Sequence, residues 1–207
     1  MKNHIINKLS LYLFILFFLS SCATGRFTPS ELQIIQNINK EGRLRVLLVE
    51  NTQDSIILYK KSKNINADSK NTDLQNFVQA LYKTVQDPNK PGIGIAAPQV
   101  GINRSVIWVQ RFDKEGAPFE VYFNIKIKNY SGEKKDGMEG CLSVDNYRGT
   151  VARASEITIE YDTFTQQNKV EIIKGFTAVI FQHEIDHLNG ILYTDRIQDK
   201  SLLVRTQ

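Results

Sequence analysis

The sequence predicts an α+β fold in which a mostly antiparallel sheet packs on helices, and three observations predict it. The chain order runs helix, several strands, then helix; the first long helix is amphipathic with a period of 3.6 residues; and the runs between alternate β-branched or aromatic with polar residues. The 207 residues suffice for one well-cored domain with a short appendage. A content of 42 % hydrophobic and 23 % charged residues excludes both wholesale disorder and a polytopic membrane protein. The net charge of +4 is small, and setting aside residues 1–21, which hold Lys2 and Lys8 but no acid, leaves 24 basic against 22 acidic residues. No basic stripe remains to neutralise phosphates, so no nucleic-acid partner is expected.

The elements follow in order. Residues 1–21 have a basic start, an apolar run over 9–19 and then small residues, which is the layout of an export signal. As a helix the apolar run spans only ~16 Å, about half of a ~30 Å hydrocarbon core, too short for a lasting transmembrane anchor. Leu19-Ser20-Ser21-Cys22 resembles the lipobox of bacterial lipoproteins, which implies cleavage before Cys22, a lipid on its sulfur and membrane association; without use of the signal the protein stays cytoplasmic. Residues 22–43 read as a tether with a short helix, opened by the capping box Thr28-Pro29-Ser30-Glu31 and ended by Gly42, acting as a spacer. Residues 44–207 form the main domain. Within it, 45–49 look like a short strand, and 51–72 are loop-like apart from the apolar patch at 56–59. From Thr72, Leu74, Phe77, Val78, Leu81, Tyr82 and Val85 fall on one helical face that must meet the core. Strands are predicted at 105–109, 119–127, 156–161 and 169–173, and a last helix at 176–188, closed by Asn189-Gly190.

The chemistry concentrates in that last helix. His183-Glu184-Ile185-Asp186-His187 places two imidazoles at i and i+4 on one face, able to converge on a metal, with Glu184 one step round to accept a proton. Two histidines under-coordinate a metal, and His4, the third in the chain, lies in the predicted signal, so the third ligand is a cysteine or a carboxylate. Cys141, between the small residues Gly140 and Ser143, is the candidate. A third element, Gly92-Ile93-Gly94-Ile95-Ala96-Ala97-Pro98-Gln99, lacks the spacing of a dinucleotide fingerprint. It offers backbone that can pair with an extended peptide, and at Gln99 an amide that can donate to an oxyanion.

Together these segments resemble the peptide deformylases, whose GxGxAAxQ, EGCLS and QHExDH motifs match residues 92–99, 139–143 and 182–187 in family order and spacing, within a likeness over 44–197. The resemblance implies an α+β fold around the HExxH helix and a metal held by Cys141, His183 and His187. The ion would be Fe²⁺, with Zn²⁺ or Ni²⁺ able to substitute. It further implies hydrolysis of N-formylmethionyl peptides, with Glu184 as the acid–base and Gln99 and the Leu142 backbone N–H holding the oxyanion. The peptide would lie as an added strand against Ile93, Gly94 and Gly140. By position, Phe176, Val179, Ile180 and the stem of Arg148 are candidates for the methionine pocket. Where many members carry a proline after EGCLS, this chain has Asp145-Asn146-Tyr147. An HExxH metalloprotease and a catalytically silent lipoprotein that binds formylated peptides are the competing readings.

Overall fold

The computed structural model describes residues 25–197 and 199–206; Cys22 and the segment read as an export signal lie outside the described residues. Among the described residues no helix is long and apolar enough to cross a membrane. Helix α1, Pro29–Gln36, forms on its capping box, with Thr28 accepting from the Glu31 N–H and Glu31 accepting from the Thr28 N–H. It ends at Gln36, well before Gly42. Nor is it a free spacer: the buried Glu31 carboxylate accepts from Arg104 Nε and Nη2 at 2.9 and 2.8 Å, and Ile35 enters the core.

Residues 45–49 form no strand, because their amides bond to different neighbours. The Leu47 N–H donates to the Gln99 carbonyl at 2.7 Å and the Val49 N–H to the Ser143 carbonyl at 2.9 Å. The stretch read as loop-like contains a further helix, α2, Thr52–Leu58, started by the Asn51 side chain, which accepts from two N–H groups. Helix α3, Thr72–Val85, matches its periodicity. Leu74, Phe77, Val78, Leu81 and Val85 are buried, each worth ~1.5–3 kcal/mol, and Tyr82 lies against Trp108 and Phe119.

The sheet has the order β1 (Gly94–Ala96), β2 (Val106–Gln110), β3 (Phe119–Cys141), β4 (Val144–Asp162), β5 (Lys169–Lys174), all antiparallel, with β6 (Leu203–Arg205) on β4. The runs predicted at 119–127 and 156–161 are the far ends of one long hairpin. Its middle escaped the pattern because Asn129, Lys134, Lys135 and Asp136 are held by backbone pairing and not by apolar burial. Cys141 pairs with Val144, so the hairpin turns on Leu142-Ser143 and carries Cys141 at its tip. Helix α4, Gly175–Leu188, packs against the sheet with Ala178, Ile180, Phe181, Ile185 and Leu188 in the core.

Candidate metal centre and active-site cleft

Three elements converge on one cleft of about 490 Å³. The β3–β4 turn brings Cys141, α4 brings His183, Glu184 and His187, and the segment around β1 brings Ile93, Gly94 and Gln99. The ligating atoms of Cys141, His183 and His187 lie within 4.8 Å of one another. Cys141 Sγ and His187 Nε2 are 3.2 Å apart, near the ~3.5 Å that two ligands of one tetrahedral ion would show. Burial, reinforced by His183 and Arg153, holds the His187 imidazole well below its usual range, whereas bonds to Cys141 and Glu139 outweigh burial and hold His183 well above it. The donor set and its geometry fit a divalent ion.

Glu139 fixes the other histidine. Its Oε2 is 2.8 Å from His183 Nδ1, while Arg153 donates to both of its oxygens at 2.7 and 3.0 Å. Burial acts to raise the Glu139 carboxyl, but the bonds from His183 and Arg153 prevail and hold it at about 2. Glu139 is therefore an acceptor, Nδ1 carries the proton, and Nε2 is left to face Cys141 and the ion. Arg153 also donates to Asp186 at 2.5 Å, and Asp186 is bound in turn by Arg196. In the sequence alone Glu139, Arg153 and Asp186 carry no role. An acid and a basic residue both inside an apolar fold were the available signal, since such groups are buried only when paired.

Glu184 is buried, and burial pushes its carboxyl up to about 7. Its Oε2 has no hydrogen-bond partner, and its Oε1 would be 2.5 Å from a Cβ at position 94. Only glycine fits there, which gives Gly94 a reason beyond the turn that a GxG pattern suggests. The Gln99 side chain accepts from the Ala96 N–H at 2.8 Å, so its NH₂ end points the other way, to Cys141 Sγ at 3.5 Å and Ser143 Oγ at 3.3 Å. Leu142 sits in the hairpin turn, its carbonyl accepting from Lys90 at 3.2 Å. Lys90 also pairs with Asp145.

The remaining predicted site residues all line the cleft. Ile93 and Gly94 form one wall and Gly140 the other, with the Arg148 stem 3.4 Å from where a Gly140 Cβ would stand. Ile180 is buried and shared with the core, Val179 is half-buried, and Phe176 is 57 % exposed at the mouth.

Residues 46–202 match the family model described as polypeptide deformylase. The chain is 44 % identical over 116 residues to a peptide deformylase of Halalkalibacterium halodurans, covering 53 % of this chain and 62 % of the relative's length. It is 35 % identical over 174 residues to one of Mycoplasmopsis pulmonis, covering 70 % of this chain and 88 % of the relative. Among solved structures it resembles a peptide deformylase from Synechococcus elongatus in complex with actinonin, with TM-score 0.68 and 28 % identity over 79 % of this chain and 85 % of that one. It also resembles a class I type b peptide deformylase from Acinetobacter baumannii bound to Met-Ala-Ser, with TM-score 0.63 and 37 % identity over 75 % and 98 % of the two chains. A Cys-His-His centre beside a buried carboxylate, on a match spanning most of the described fold, places this chain in the peptide deformylase family.

Proposed function

We propose that the protein is a metal-dependent hydrolase that removes the formyl group from N-formylmethionyl peptides and releases formate. The observation that carries this reading is Glu184, buried with one free oxygen, beside the Cys141, His183 and His187 set in a cleft walled by strand backbone. Those three residues would hold the ion, which supplies Lewis acidity and an acidified water; Fe²⁺ is the proposed ion, with Zn²⁺ or Ni²⁺ able to take its place.

The chain's own residues do the rest. The peptide pairs with the backbone of Ile93, Gly94 and Gly140, and its methionine side chain enters between Val179, Ile180, Phe176 and the Arg148 stem. Glu184 takes a proton from the water whose oxygen adds to the formyl carbon. The oxyanion accepts from the Gln99 NH₂ and the Leu142 N–H. As the C–N bond breaks, Glu184 returns the proton to the amine nitrogen, and the formic acid that departs gives its remaining proton to solvent and is released as formate. The test is formate release from formyl-Met-Ala-Ser by metal-loaded protein. Tight peptide binding without formate would favour the silent binding protein, and cleavage of unformylated peptides the metalloprotease.

The address is a separate proposal, supported by the layout of residues 1–22: export, cleavage before Cys22 and lipidation of its sulfur, which would tether the enzyme to a membrane. Mass spectrometry of the native protein should show a lipid-bearing N-terminal Cys22. An unmodified full-length chain would overturn it.

A further inference from the structure

We propose that the surface corner carrying Arg26 and the run Lys60-Lys61-Ser62-Lys63 is a docking face for anionic phospholipid headgroups. This docking rests on the lipid address proposed above and adds a surface that neither the catalytic reading nor the signal layout includes.

The corner is fixed by the way the chain enters the fold. The Asn66 N–H donates to the Gly25 carbonyl at 2.9 Å, and Gly25 bridges to Ile65. Gly25 has a φ of +96°, and a Cβ there would stand 3.0 Å from the Asn66 nitrogen, so glycine suits this close approach. Phe27 packs on Phe77 with ring centroids 5.7 Å apart, and Glu31 is held by Arg104. The chain is thus stitched to the body from Gly25 onward. Cys22 precedes Gly25 by three residues, which span at most ~10 Å. A membrane-inserted lipid on Cys22 would hold Gly25 and the surface beside it within ~10 Å of the headgroups, about one Debye length.

That surface is basic. Arg26 follows Gly25, Lys63 stands just ahead of Ile65, and Arg26, Lys60, Lys61 and Lys63 are all exposed. Residues 60–70 carry four lysines against one acid, Asp68. Among the described residues Lys60, Lys61 and Lys63 enter no ion pair, whereas Lys126, Lys128 and Lys174 are neutralised by Glu160 and Glu156. Each lysine near an anionic membrane strengthens attachment about fivefold. The run is too short to track a nucleic-acid backbone, and the lipid would keep headgroups beside it at high effective concentration, which selects lipid as the occupant. Docking leaves the cleft clear. Lys63 bonds ahead of β2, its N–H donating to the Asn103 carbonyl at 2.9 Å and its carbonyl accepting from the Ser105 N–H at 2.8 Å. The cleft wall joins the other end, where the Gln110 N–H donates to the Ile93 carbonyl at 2.8 Å. The 5 residues of β2 set the two ends ~17 Å apart.

The experiment places the native protein, extracted from its cells, on vesicles of phosphatidylcholine alone or mixed with phosphatidylglycerol, acylates its amines, and reads each lysine by mass spectrometry. Lys60, Lys61 and Lys63 should label about threefold more slowly on the anionic vesicles, high salt should restore the rate, and Lys114, beyond the far end of β2, should not change. A triple variant, Lys60→Gln with Lys61→Gln and Lys63→Gln, should pass between anionic vesicles about 100-fold faster than wild type at unchanged formate release. Equal labelling on the two vesicles, with a lipid-bearing Cys22, overturns the docking face and leaves the address standing. Protection on anionic vesicles in a chain whose Cys22 is unmodified overturns the address and leaves the face standing. Protection by a short RNA duplex and by no vesicle assigns the patch to RNA and overturns lipid docking.

Discussion

Two buried arginines do different work with the same device. Arg153 and Arg111 each sit inside the fold and are each held by at least two carboxylates through short bonds. Around Arg153 the partners Glu139 and Asp186 are themselves buried, at 6 % and 8 % side-chain exposure, and the network ends on His183, a candidate metal ligand. Around Arg111 the partners Asp113, Glu120 and Glu171 keep about a third of their surface in water, and the network ends on an outward-facing Phe112. Full burial fixes a ligand where small displacements matter to chemistry. Partial burial suffices to hold an exposed ring in place.

That contrast can be broken at several points. The largest effect should come from neither arginine but from Glu184, the neighbour of His183 in the chain: Glu184→Ala is expected to lower kcat by about 10³-fold while leaving one metal per chain, measured by formate release and metal analysis. Arg153→Met strands two buried carboxylates, at a cost of about 3–5 kcal/mol in unfolding, and should weaken metal affinity about 10- to 100-fold by freeing His183. Denaturant titration and metal competition check the pair of values. Arg111→Met strands carboxylates that water still reaches, so it should cost only about 2 kcal/mol, with metal affinity unchanged.

The smallest effect sharpens the rule with a third ion pair, Glu31 to Arg104, remote from both. Burial acts to raise the Glu31 carboxyl, but Arg104 and the Thr28 bonds outweigh it and hold it below the usual carboxylate range. A depressed folded-state value means that its stabilisation is complete above the unfolded value near 4.5 and is lost as pH falls through the lower, folded one. Melting of the wild-type protein between pH 6 and 3 should therefore depend more steeply on acid than melting of Glu31→Gln. Equal slopes would show that α1 docks without this pair.

The elements that were legible are those in which one physical signal dominates. The α3 face, the α4 helix and the ends of the long hairpin bury apolar residues at helical or strand period, and the pattern is written in the residues themselves. The middle of β3 and β4 was not legible, because its stability lies in a backbone ladder that polar residues satisfy as well as apolar ones. Helix α2 was hidden by its shortness and by a start that depends on one Asn51 side chain. Residues 45–49 read as a strand from composition, yet their amides reach the carbonyls of Gln99 and of Ser143, in two different segments.

By itself the sequence determined the fold class and the two histidines and the glutamate on one helix, with Cys141 as the candidate third ligand. Those follow from the fixed geometry of a helix and from the valence of an ion, which are local rules. Only the tertiary structure decided that Glu139 orients His183, that Glu184 packs where nothing larger than glycine fits, that the Gln99 amide nitrogen faces the site, and that Phe112 stands on Phe176. Each of these joins residues far apart in the chain, and which partner a buried polar group or an exposed ring finds depends on how the sheet and helices pack.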